Sequence, residues 1–264
     1  MNIFITIIAV IIFFVILIVP HELGHFTAAK LLGVKVNEFA FGMGPALFKK
    51  QGEETLYSIR AFAIGGYCAL EGENEDTGDP RAFNSKPSWV KIVILAAGVT
   101  MNMLTAFLIL FVLLMYVRLS GKSEVPADMG VLEIIARSAM DSITSVGDML
   151  FLIVDSLKQL FTGAASMNDV SGPVGIVTAV NESATHGVMY FLVFTAIMCV
   201  NLAVINILPL PALDGGRILF VIIRKVTGKM ISDELEAKIH MIGMALLLAL
   251  IVMITFKDVG SLLK

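Results

Sequence analysis

Four stretches of this chain, Ile3–Val19, Ile92–Val117, Gly187–Leu213 and Ile239–Phe256, contain no charged residue. Each is long enough to cross a bilayer, which takes about 17–25 residues in a helix. Backbone at that depth has no water to bond, so a single segment must satisfy its own N–H and C=O groups by coiling into a helix. Only 16% of the 264 residues are charged and 57% are hydrophobic, whereas soluble domains carry about 25% charged residues. The expectation is therefore an α-helical membrane protein. It has one domain over residues 1–264 and about four transmembrane helices, near 3–32, 90–118, 187–208 and 239–257. Ile3–Val19 is longer than a signal-peptide core and lacks a basic n-region and a small-residue cleavage site, so it reads as a retained span.

Basic residues set the orientation. Residues 30–91 carry Lys30, Lys35, Lys49, Lys50, Arg60, Arg81, Lys86 and Lys91, and residues 214–238 carry Arg217, Arg224, Lys225, Lys229 and Lys238. The long segment 118–186 has only Arg118, Lys122, Arg137 and Lys158. The positive-inside rule then puts the first two segments in the cytosol and both termini outside. The net charge of −3 gives no basis for binding nucleic acid. Cys68 and Cys199 form no C-x-x-C pattern and read as two small buried hydrophobes.

Between the spans the hydrophobic period changes. The first helix continues through Pro20, which should kink it, and ends near Gly33. Val36–Phe41 and Thr55–Arg60 partly alternate, with a turn at Gln51–Glu54, so residues 34–70 read as a small β-hairpin or sheet dipping into the membrane. Glu71–Asp79 is acidic without calcium-loop spacing and reads as a solvated loop. Trp89 stands where interfacial anchors stand. Residues 119–142 read as an outside loop, 143–161 as an amphipathic helix before the third span, and Ser171–Gly175 as a turn leading into a short helix.

At the inner end of the first span lies His21-Glu22-Leu23-Gly24-His25. Histidines four apart share one helix face and can hold one zinc ion, with Glu22 beside them to take a proton from the attacking water. A catalytic zinc takes three protein ligands and leaves one position open. The third could come from Asp214, His186, His240 or the loop acids. Asp214 stands out because it closes an uncharged run broken by Pro209 and Pro211, where an ionisable group is costly unless it has a function. His186 and His240 fall at span ends and read as interfacial.

His21–His25 in the first span, with Asn206-x-x-Pro209-x-Pro211-x-x-Asp214-Gly215 in the third, resembles the site-2 protease family of intramembrane zinc metalloproteases, and its bacterial branch in particular. Ser171–Ile176 and Ala97–Asn102 are similar to weaker motifs of that branch, with Val99 in place of its usual proline. The resemblance implies one Zn2+ held by His21, His25 and Asp214, with Glu22 as general base and later proton donor. It makes Asn102, Asn201 and Asn206 groups that hold the substrate backbone or the oxyanion. It also implies single-span membrane protein substrates, of anti-sigma-factor or signal-peptide-remnant type, cut in a bacterial plasma membrane from its cytosolic side. Many relatives insert PDZ domains between spans two and three, and the residues of 119–142 are too few for one. An exposed strand edge in 34–70, with Gly65 and Gly66 permitting close approach, could hold an unwound substrate extended. A zinc-binding transporter or a non-hydrolytic scaffold stands as the alternative. A scaffold has no need of Glu22, and a transporter would more commonly show inverted repeats. Substrate identity and oligomeric state are not legible.

Overall fold

The computed structural model describes residues 3–73, 77–121, 130–164, 171–228 and 233–262. Helix α1 covers Ile3–Leu31 and runs through Pro20 without a break. Strands β1 (Val36–Gln51) and β2 (Leu56–Leu70) follow, then a single 3-10 turn at Phe83–Ser85. Helices α2 (Ser88–Leu119), α3 (Val131–Thr162), α4 (Pro173–Thr185), α5 (Val188–Ile207), α6 (Asp214–Thr227) and α7 (Asp233–Leu262) complete the described chain. Four helices, Ile3–Leu31, Ser88–Leu119, Val188–Ile207 and Glu234–Gly260, are long and apolar enough to cross a membrane. Their outward side chains, such as Ile3, Phe4, Leu108, Val112, Tyr190, Leu246 and Phe256, are exposed. This is acceptable where the solvent is lipid and would be an aggregation surface in water.

The chain divides into two compact units. One comprises residues 1–13 and 102–204, the other 14–101 and 205–264. In the first, Phe13 stacks on Phe194 at 5.7 Å, and the Thr6 hydroxyl donates to Asn181 Oδ1 at 2.8 Å. Helix α3 begins at Val131, twelve residues before the expected start, after the extended residue Gly130. Its buried face is Ile134, Ser138, Ser142 and Val146, a perfect i, i+4 ladder in which two rungs are serine. A ladder half made of serine has a weak apolar signal, and that is why 131–142 reads as loop. The guanidinium of Arg118 fixes this stretch by donating to Ser138 Oγ at 2.7 Å and to Asp141. Residues 122–129, including Pro126, lie outside the described residues.

In the second unit, β1 and β2 form one long antiparallel hairpin, from Val36 opposite Leu70 to Gln51 opposite Leu56. Gly42, Gly44 and Gly65 take left-handed backbone at its bend. Bending folds the hairpin against itself: residues 38–41 pair with 66–69 on one side and with 56–59 on the other. Segment 66–70 is therefore paired on one side only among the described residues. The core beneath it joins Ala29, Val34, Val36, Leu70, Phe83, Val90, Ile94, Leu95 and Val221. Each large aliphatic side chain buried there contributes about 1.5–3 kcal/mol in area terms, so α1, the sheet, α2 and α6 are held as one body.

The acidic loop is less free than its composition suggests. Glu71 accepts from Lys35 Nζ at 2.9 Å and Glu73 pairs with Arg217, while residues 74–76 lie outside the described residues.

Candidate metal centre and cleft

His21 and His25 sit one turn apart on α1 and both are buried. The Nδ1–H of His25 donates to the backbone carbonyl of Ile94 on α2 at 2.8 Å. That bond fixes the tautomer and leaves Nε2 with a lone pair, an orientation metal-binding histidines commonly receive from a second residue. Asp214 is the first residue of α6, after a turn in which Ala212 is the one described non-glycine residue with positive φ, at 73°. Its Oδ2 lies 3.3 Å from His21 Nε2 and 3.4 Å from His25 Nε2, and the two Nε2 atoms are 3.2 Å apart.

These three atoms form a nearly equilateral triangle. Ligand atoms about 2.0–2.1 Å from a tetrahedral zinc are spaced about 3.3 Å apart, so the triangle is one face of such a tetrahedron. The chemistry agrees with the size. Asp214 Oδ2 is buried with no hydrogen-bond donor among the described residues, and His25 Nε2, left with its lone pair, is 3.4 Å from it. Acceptors converging in this way repel one another unless a cation lies among them. The residues therefore fit zinc.

Glycines bring the elements this close. A Cβ on Gly98 would fall 2.4 Å from His25 Nε2 and 2.7 Å from His21 Cε1. One on Gly24 would fall 2.4 Å from the carbonyl oxygen of Ala97. Helices α1 and α2 thus interlock through two glycines, a packing mode common in membranes. Gly215 and Gly216 do the same for α6, where an added Cβ would lie 2.1 Å from the carbonyl oxygens of Ile207 and Leu210.

The triangle opens into a cavity of about 280 Å³ lined by His21, Glu22, His25, Gly66, Tyr67, Cys68, Asn206, Asp214 and Arg217, among others. Glu22 lines the cleft beside the two histidines. Asn206 Nδ2 lies 3.2 Å from His21 Nε2. Gly66 packs against α1, where a Cβ would meet Ile18 Cγ2 at 2.9 Å and Glu22 Cγ at 3.1 Å. Gly65, with φ 78°, faces Met43 at the bend instead. Asn102, wholly buried, and Asn201, half-buried, belong to the other compact unit.

Sequence reasoning missed several neighbours. Gly98 was visible only as part of Ala97–Asn102. The Ile94 carbonyl has no side-chain signal at all. Arg217, one turn beyond Asp214, lines the cleft and is held by Glu73. His240 does not join the triangle: its Nδ1 accepts from the backbone N–H of Ala212 at 2.8 Å, because α7 docks on the turn before Asp214. His186 caps α4 and its ring contacts Tyr190 at 5.7 Å, away from the triangle's residues in sequence and in unit.

The profile of Peptidase family M50 matches residues 9–250. A protein of Clostridium acetobutylicum, named as a candidate zinc metalloprotease, is 32% identical over 97% of this chain and 98% of its own. The zinc metalloprotease RasP of Shouchella clausii is 25% identical over 97% of this chain and 99% of its own. A Bacillus subtilis protein named regulator of sigma-W protease RasP is 25% identical over the same shares. Each alignment is longer than the 264 residues here, so these relatives carry segments with no counterpart in this chain.

Proposed function

The chain belongs to peptidase family M50, the site-2 proteases, and from that premise we propose that it cuts peptide bonds in or near the transmembrane segment of single-span membrane proteins. It is a zinc metalloprotease and a multi-pass membrane protein. In the proposed site His21, His25 and Asp214 hold the zinc. The observation that carries this reading is the triangle of 3.2, 3.3 and 3.4 Å with Glu22 beside it on an open cleft.

Zinc, when bound there, polarises the scissile carbonyl and makes water acidic enough to react near neutral pH. Glu22 takes the proton as the water oxygen attacks the carbonyl carbon. It returns that proton to the amide nitrogen as the C–N bond breaks, so one carboxylate serves both half-steps. We assign Asn206, whose Nδ2 lies 3.2 Å from His21 Nε2, to donating to the developing oxyanion. A helical peptide bond is shielded by its own turn and must unwind first. We assign the receiving surface to segment 66–70, paired on one side only among the described residues and lining the cleft. There an extended substrate adds as a further strand, with Gly66 allowing the edge to lie against α1. The distribution of basic residues favours a cleft toward the cytosol and both termini outside. The sigma-W designation of the Bacillus subtilis relative favours anti-sigma factors as substrates over signal-peptide remnants.

The test compares the native chain with Glu22→Gln on single-span model substrates in liposomes, measuring bound zinc in both. Loss of general acid–base catalysis lowers rates by about 10²–10⁴-fold. The expected result is zinc in both proteins and cleavage by the native chain only. Equal cleavage by both would remove Glu22 from the mechanism, and a native chain that binds no zinc would remove the proposed site.

A further inference from the structure

The turn that presents Asp214 is held from outside the site. Ala212 lies two residues before Asp214 at φ 73°, a left-handed conformation that disfavours an L side chain. Residues in such regions persist only when their surroundings over-determine them. Two contacts from α7 do so here. His240 Nδ1 accepts the Ala212 N–H at 2.8 Å. One turn along the same face, Gly243 lies so close that an added Cβ would fall 2.4 Å from Pro211 Cβ and 3.0 Å from its carbonyl oxygen. The imidazole ring packs 5.5 Å from that of Phe220 on α6. An accepting Nδ1 puts the proton on Nε2, which is buried with no hydrogen-bond partner among the described residues; its nearest carboxylate oxygen, Glu236 Oε1, lies 3.8 Å away.

We propose that His240 is a positioning residue for the metal centre: by accepting the Ala212 N–H, with Gly243 seating Pro211, α7 locks the left-handed turn that aims the Asp214 carboxylate at the two histidines. This rests on the reading of Asp214 as a zinc ligand. The lock works because the bond is directional. A side chain of the same bulk that cannot accept leaves the half-buried Ala212 N–H without its partner, and the turn relaxes to a conformation that satisfies it. Asp214, two residues on, then swings out of the triangle. Asparagine places its Oδ1 where histidine has Nδ1, so it can accept the same proton.

The experiment measures zinc affinity by chelator competition on purified full-length chains whose folding is checked by circular dichroism, and needs no substrate. His240→Phe is expected to weaken zinc binding about 10–100-fold, the usual effect of losing an outer-shell partner. His240→Asn should stay within a few-fold of native. Ala212→Gly, which removes the cost of the left-handed backbone, should recover much of the loss in the His240→Phe background. Should His240→Phe fail to fold, Gly243→Ala, which presses on Pro211 with His240 intact, should loosen zinc in the same direction. Asp214→Ala separates the two layers. If it retains native affinity, the ligand assignment falls and the lock with it. If it loses zinc while a folded His240→Phe, or Gly243→Ala in its place, binds zinc as native, the lock alone is overturned. An asparagine variant as weak as the phenylalanine one would likewise overturn it, since acceptance of the N–H would then not matter.

Discussion

Replacing Gly98 by alanine exchanges one hydrogen for a methyl group, and the structure places its carbon against the two histidines. The added Cβ would sit 2.4 Å from His25 Nε2 and 2.7 Å from His21 Cε1, whereas ordinary contact begins at 3.4 Å. Relief requires about 1.0 Å of movement at His25. The ring has little room to supply it: its Nδ1 is tied to the Ile94 carbonyl at 2.8 Å on the same helix as Gly98. The helices cannot easily separate either, because Gly24 is seated on Ala97 one position away. Metal–ligand distances tolerate about 0.2 Å, so a shift several times larger should cost at least the 10–100-fold seen for outer-shell losses. The assay is zinc content after dialysis against graded chelator, with circular dichroism confirming the helices. Gly147→Ala, on α3 with nothing within 4 Å of its Cβ, is the control and should leave zinc unchanged. A folded Gly98→Ala protein with native zinc affinity would refute the close-packing account of the site.

The same control should be more stable than native by about 0.5–1 kcal/mol, because alanine exceeds glycine in helix propensity; denaturant unfolding in micelles would reveal an unchanged or lowered midpoint as the contrary result. Removing zinc with a chelator should lower the thermal midpoint, since a ligand at a thousand times its Kd stabilises by about 4 kcal/mol, and Asp214→Ala should abolish that zinc-dependent difference. Acid should loosen the hairpin. Hydrogen bonds from Lys30 and then Arg81 hold the Glu54 carboxyl down at about 2, and a hydrogen bond from Lys35 does the same for Glu71. With folded values depressed below the ordinary 4.5, this stabilisation is complete above pH 4.5 and is lost as pH falls toward 2. Amide exchange across 36–70 should quicken over that window, and Glu54→Gln with Glu71→Gln should flatten the response.

What was legible in the sequence was local. The spacing of His21 and His25 on a helix is a property of five residues, and the four spans are properties of continuous runs. Asp214 was legible because a carboxylate after Pro209 and Pro211 at the end of an apolar run has few inexpensive uses. The hairpin showed in its alternation and its turn at 51–54. Its doubled register did not, because pairing 38–41 with both 56–59 and 66–69 depends on a bend that three glycines allow but do not announce. The start of α3 was hidden by Ser138 and Ser142 on its buried face. The contacts of His240 and Glu73 were hidden for one shared reason. A polar residue at a span end or in an acidic loop reads as solvated until another element is known to dock on it.

The arrangement explains why so much of the constraint falls on residues that do no chemistry. Placing His21, His25 and Asp214 with their acceptors face to face is unfavourable by itself, since Asp214 Oδ2 is buried against two imidazoles with no hydrogen-bond donor among the described residues. Only elements that cannot move apart keep such a group assembled before the metal arrives. Gly24 and Gly98 lock α1 to α2, Gly215 and Gly216 seat α6 on the chain that enters it, and the core at Ile94, Leu95 and Val221 closes beneath. The proposed strand edge belongs to the same compact unit, joined to α6 through Glu73 and Arg217. A substrate strand added to that edge would thus be registered against the third proposed ligand by an ion pair rather than by a flexible loop. In lipid, where apolar contacts alone give helices little reason to associate, close glycine packing and half-buried ion pairs such as Glu73–Arg217 are the means available for that rigidity.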